Sequence, residues 1–167
     1  MSASVSFNDM DEIIDNLYLG NLSSAENVKK LKELGIKKVL SLLDGFFPNY
    51  NKSDNITQKK FIIHDFDQEN IIKIFGDCFK FIKGEEKVLV HCAVGASRSA
   101  TVVIAYLMWN KKISFEEALK FVQEKRYIVW PNPGFKEQLK LFDKKLKEKD
   151  YDIEKIKFKE IKWEPKY

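Results

Sequence analysis

One stretch, KVLVHCAVGASRSAT at residues 87–101, constrains this chain more than any other part of its 167 residues. Four of the stretch's first six residues are apolar and β-favouring, so Val88 to His91 reads as a buried strand that ends at Cys92. Ala93, Val94, Gly95, Ala96 and Ser97, small or polar, lead to Arg98. Residues 100–109 then form an apolar run with no polar face, the pattern of a buried helix. Strand, tight loop and helix in that order make an anion-binding arrangement. The unpaired N–H groups of the loop and the positive end of the helix dipole converge on one point.

A thiol stands at one end of this loop and a guanidinium at the other. A free thiol is only a few per cent ionised near neutrality, but N–H donors, a helix N-terminus and a cation favour the thiolate. Cys92 is therefore expected to be an ionised nucleophile. A buried structural cysteine would account for a lone residue but not for the Cys-x5-Arg-Ser spacing. The fork of Arg98 can hold two oxygens of a tetrahedral dianion at once. The backbone of Ala93, Val94, Gly95, Ala96, Ser97 and Arg98 is expected to hold the phosphate. Gly95 supplies freedom in φ, and a Cβ there is expected to intrude on the anion. Ser99 is expected to donate to the sulfur, to cap the helix, or both. His91 is expected to be buried, bonded to the loop backbone and orienting rather than basic. Attack on phosphorus expels an alkoxide or phenoxide, and an alkoxide leaves only with a proton from a nearby acid. The candidates are Asp65 and Asp67 in the polar connection DFDQEN, and either could equally be an ordinary solvated or capping acid.

Around this unit, residues 1–11 are polar and unpatterned and read as a loose N-terminus. IIDNLYL at 13–19 reads as one strand closed by Gly20, and Ser24 as the cap of a helix to Leu34 that Gly35 stops. Residues 38–43 and 60–64 read as further strands. The intervening 45–59 reads as a long loop whose Phe46, Phe47 and Tyr50 either face a substrate or fold back onto the core. A helix over 71–83 carries Ile71, Phe75, Cys78, Phe79 and Ile82 on one stripe. Ser114, three residues before Glu117, opens a helix through Glu124. Beyond the WPNPG break, Phe135, Leu139, Phe142 and Leu146 mark a last helix. This alternation predicts one α/β layered domain over 12–150, with a central, mostly parallel, twisted sheet flanked by helices and the loop at a strand's carboxyl end. The tail 151–167 alternates lysine with Ile and Phe, which reads as a short edge strand or as a segment without fixed structure.

A 44% hydrophobic content suits one real core, and a net charge of +4 favours anionic ligands without a nucleic-acid signature. No apolar stretch reaches membrane-span length, and the N-terminus lacks the features of a signal peptide. A cytoplasmic, or also nuclear, location is expected. The two cysteines, Cys78 and Cys92, are not expected to pair.

HCAVGASRS, with NLYLGN, LGIKKVLSLL, VLVHC, AYLM, EEALKFV and RYIVWPNPGFKEQL, resembles the small dual-specificity protein phosphatases over about residues 13–142. That resemblance implies a two-step reaction through a cysteinyl phosphate on Cys92, without metal or other cofactor. It favours Asp65 as general acid and then base, because the family's acid lies five residues ahead of an Asn that opens the next helix, as Asp65 does before Asn70. It implies that Asn132 buttresses the loop. The expected substrates are phosphotyrosine and phosphoserine or phosphothreonine in proteins, with phosphate or sulfate also binding in the loop and no nucleic acid. Relatives acting on phosphoinositides commonly carry lysines in the loop, where Ala93, Val94, Ala96 and Ser97 are uncharged. The alternatives are phosphoinositide hydrolysis and a catalytically weak phosphoprotein-binding module.

Overall fold

A computed structural model describes residues 8–166. Its sheet has five strands in the order β1-β2-β5-β3-β4, formed by β1 (Met10–Ile14), β2 (Leu17–Gly20), β3 (Ile36–Leu43), β4 (Thr57–Ile62) and β5 (Lys87–His91). Only the β1–β2 pair is antiparallel. The carboxyl ends of the four parallel strands therefore lie along one edge, where open α/β sheets gather their ligands.

Several local expectations change. The single strand expected over 13–19 is a hairpin that turns at Asp15 and Asn16, with Asn16 at φ 69°. Asn is among the few non-glycine residues that tolerate that conformation. Met10 and Asp11, assigned to the loose N-terminus, belong to β1; residues 1–7 lie outside the described residues. Ser24 is not a cap. Asn21 caps α1 (Leu22–Glu26) by accepting from Ser24 N at 2.9 Å, and Asn27 caps α2 (Val28–Leu34) by accepting from Lys30 N at 3.2 Å. Gly35, at φ 78°, does end α2. Tyr50 folds back, its hydroxyl donating to Ala25 O at 2.5 Å, whereas Phe46 is 99% exposed.

The pleat sends alternate residues of the sheet into two cores. Val88 and Val90 of β5, with Leu17 and Leu19 of β2, face the larger core, while Leu89 and Tyr18 face a smaller one under α1 and α2. The larger core holds α3 (Phe75–Ile82), α4 (Arg98–Asn110), α5 (Phe115–Lys125) and α6 (Pro133–Glu148). Helix α4 is buried from Arg98 through Met108, which accounts for its lack of a polar stripe. Phe79 lies at the centre of an aromatic cluster, with ring centroids 5.9 Å from Phe75, 5.4 Å from Trp109, 5.8 Å from Phe142 and 6.4 Å from Phe158.

Phe158 belongs to the tail, and the edge strand expected in 151–167 does not form among the described residues. Instead the chain makes two short 3-10 turns, Ile153–Lys155 and Phe158–Glu160, with Ile156 and Phe158 buried in the main core. The alternation was a real signal of one apolar side, but that side packs on helices rather than on a sheet edge. None of the described helices is long and apolar enough to cross a membrane.

Candidate active site

Strand β5 ends at His91, and α4 begins at Arg98, so residues 92–97 form the loop at the middle of the sheet's carboxyl edge. All six carbonyls of that loop are held by groups around it. Cys92 O accepts from His91 Nδ1 (3.0 Å), Ala93 O from Leu22 N (3.1 Å), and Val94 O from Arg126 NH2 (3.0 Å). Gly95 O accepts from Arg126 Nε (2.9 Å), Ala96 O from Trp130 N (2.8 Å), and Ser97 O from Thr101 N (2.8 Å). In a trans peptide the C=O of one residue opposes the N–H of the next, and no cis bond occurs among the described residues. Carbonyls drawn outward therefore turn the N–H groups of residues 93–98 toward the inside of the loop, the condition for an anion nest.

At its floor lies Cys92, 2% exposed, whose Sγ accepts from Gly95 N at 3.2 Å and stands 3.0 Å from Ser99 Oγ. Ser99 thus reaches the sulfur, and the cap position belongs to Ser97. Gly95 adopts φ 77°, but the expected reason for excluding a side chain there needs correction. A Cβ would meet Gly20 O at 2.6 Å and Arg126 NH2 at 2.8 Å, so it would strike the outer supports of the loop rather than the anion.

His91 is fully buried. Burial pulls its pKa from 6.5 down to about 4, against the opposing pull of its hydrogen bond to Cys92 O. As a neutral ring it donates through Nδ1 to Cys92 O and accepts through Nε2 from Ser41 Oγ at 2.6 Å. Ser41 Oγ accepts in turn from Gln58 Nε2 at 3.1 Å. This relay runs across β4, β3 and β5 and ends on the loop backbone, not on a reacting atom. Burial raises the pKa of the Cys78 thiol, and Cys78 lies in the core away from solvent.

Arg98 donates through NH1 to Ile63 O at 3.1 Å, with Asp44 Oδ1 3.8 Å from the same nitrogen. Its buried Nε has no acceptor among the described residues, as befits a donor kept for a ligand oxygen. The two candidate acids part company here. Asp65 Oδ1 accepts from Ser97 Oγ at 2.7 Å and from Asn132 Nδ2 at 2.9 Å, which sets its carboxylate against the loop. Asp67 Oδ1 accepts instead from Gly134 N at 3.3 Å, at the start of α6. Asn132 also donates its own N–H to Ser97 Oγ at 3.0 Å and caps α6 through Phe135 N at 2.8 Å.

Sequence reasoning passed over Arg126. It is 2% exposed, and besides Gly95 O and Val94 O it bonds Asn8 O at 2.7 Å and Asp11 Oδ2 at 2.9 Å. The available signal was an arginine at the close of an amphipathic helix, four residues ahead of Trp130 in the WPNPG break. The hydroxyl of Ser97 was also missed. Its backbone was expected at the phosphate, but its side chain joins the loop to Asp65.

Residues 17–145 match the family described as dual specificity phosphatase, catalytic domain. The chain is 40% identical over 141 residues to MAP kinase phosphatase with leucine-rich repeats protein 3 of Dictyostelium discoideum; the match covers 81% of this chain and 16% of that protein. It is 34% identical to dual specificity protein phosphatase 1B of Arabidopsis thaliana, covering 83% and 84% of the two chains. Among solved structures it resembles the human tyrosine phosphatase-like serine/threonine/tyrosine-interacting protein, with 35% identity, a TM-score of 0.76, and coverage of 81% and 95%.

Proposed function

The chain belongs to the dual-specificity phosphatase family, and on that premise we propose that it hydrolyses phosphotyrosine and phosphoserine or phosphothreonine in proteins through a cysteinyl-phosphate intermediate. The observation that carries this reading is the loop whose six carbonyls are held outward around the Cys92 sulfur.

The N–H groups of residues 93–98 and the Arg98 guanidinium bind the three non-bridging oxygens and stabilise the charge of the transferring group. Cys92 Sγ attacks phosphorus in line, and the bond to the leaving oxygen breaks. That oxygen takes a proton from Asp65. Because Ser97 and Asn132 both donate to Oδ1, Oδ2 is the oxygen left to carry the proton. Water then attacks the phosphocysteine, giving a proton to the Asp65 carboxylate, and the S–P bond breaks. Ser99 Oγ donates to the departing sulfur, and inorganic phosphate leaves.

Phosphoprotein is favoured over phosphoinositide because the loop carries no lysine. Exposure of Ala93 and Val94 at the rim supports a shallow cleft open to both aryl and alkyl esters. The binding-module reading draws on the structural neighbour named as tyrosine phosphatase-like and interacting, but this chain keeps both Cys92 and Asp65.

Hydrolysis of p-nitrophenyl phosphate by the wild type and by Cys92→Ser tests the assignment. A loss on the order of a thousandfold or more is expected, and equal rates would remove Cys92 from the reaction. Asp65→Asn is expected to slow alkyl phosphates more than activated aryl phosphates. A larger effect from Asp67→Asn would transfer the role. Inorganic phosphate is expected to compete with substrate.

A further inference from the structure

The stretch matched to the family ends at residue 145, and the tail lies beyond it. Yet the tail reaches the loop that carries Asp65. Asn70 Nδ2 donates to Ile161 O at 2.7 Å, and Trp163 Nε1 donates to Asp67 O at 2.9 Å. Residues 65–70 form neither helix nor strand, so their position depends on what grips them. The start of α6 does so, with Asn132 on Asp65, Gly134 N on Asp67, and Gln138 Nε2 on Glu69 O at 2.9 Å. The tail supplies a second grip.

The tail has a firm anchor from which to pull. Phe158 is 8% exposed, lies 5.8 Å from Phe142 and 6.4 Å from Phe79 by ring centroids, and covers α3 where Gly76 leaves room. A Cβ on Gly76 would stand 2.9 Å from that ring. Three and five residues further on are the two groups that meet the loop. A buried ring thus fixes the origin of a short strap, and two hydrogen bonds fix its far end.

We propose that the C-terminal segment 156–163 is a positioning strap for the acid-bearing loop, with Trp163 and Ile161 holding Asp65 at the distance from the cradle at which it can protonate the leaving oxygen. The inference rests on Asp65 being the general acid. Trp163 bonds the backbone of Asp67 rather than the Asp65 carboxylate, and acts through that backbone.

Trp163→Phe keeps an aromatic ring and removes the N–H donor, which makes it the cleanest probe. The readout is kcat/KM on phenyl phosphate, whose leaving group needs the proton, against 2,4-dinitrophenyl phosphate, whose leaving group does not. We expect a loss of about fivefold on the former and less than about twofold on the latter, the scale of one lost hydrogen bond. Asp65→Asn, run beside it, should show the same selectivity more strongly. Equal losses on both substrates, or none on either, from Trp163→Phe would overturn the strap while leaving Asp65 in place. Absence of any leaving-group dependence in Asp65→Asn would instead overturn the acid assignment, and the strap with it.

Discussion

Burying a neutral imidazole under the loop makes the fold sensitive to acid. His91 binds a proton at about 4 in the folded chain, against 6.5 ordinarily, so the unfolded chain protonates first as pH falls. Its contribution to stability is complete above about pH 6.5, declines as pH drops through about 4, and amounts to about 3 kcal/mol. Urea unfolding at about pH 7 and about pH 4 should show a larger fall for the wild type than for His91→Asn, and coincident slopes would mean that His91 is not the source. Arg126 acts by geometry. Its fork bonds two loop carbonyls, the Asn8 carbonyl and the Asp11 carboxylate, a set that the single ammonium of a lysine cannot reproduce. Arg126→Lys is expected to cost about 2 kcal/mol in urea unfolding and to lower kcat/KM, since the loop's N–H groups lose their alignment.

At the scale of elements, the contact between α3 and the tail sets two opposed effects against each other in Gly76→Ala. Alanine gains up to about 1 kcal/mol in a helix, but the new Cβ presses on a ring already packed against Phe79 and Phe142, and overpacking costs about 1–3 kcal/mol. We expect net destabilisation in urea unfolding; a stabilised variant would show that the tail yields freely. The central strand, loop and helix were legible in the sequence because their information is local: an apolar run, a Gly at positive φ, and a helix with no wet face. The β1–β2 hairpin was not, because IIDNLYL looks continuous unless Asp15 and Asn16 are read as its turn. Ser24 was read as the cap, and Asn21 and Asn27, which hold equally good acceptors, were passed over. The choice between Asp65 and Asp67 could not be made locally. It depends on Ser97 and Asn132, 32 and 67 residues away in sequence. Nor does an alternation of Lys with Ile and Phe say whether its apolar side meets a sheet edge or a helix.

For the whole molecule, groups from nearly the full length of the described chain converge on one edge of the sheet, from the Asn8 carbonyl at one end to Trp163 at the other. Hydrolytic activity and far-UV dichroism should therefore disappear together in a urea titration, and activity lost well before secondary structure would indicate a site that melts separately. Phe79→Ala, at the centre of the aromatic cluster, should lower both midpoints in parallel by removing about 4 kcal/mol. The outward-held carbonyls of residues 92–97 carry one more consequence. Their partners are His91, Leu22, Arg126, Trp130 and Thr101, scattered from residue 22 to residue 130, so the ring of donors is imposed from without. A synthetic nonapeptide spanning 91–99, or the same nine residues transplanted between a strand and a helix of some unrelated scaffold, would keep the motif's letters and hold no oxyanion.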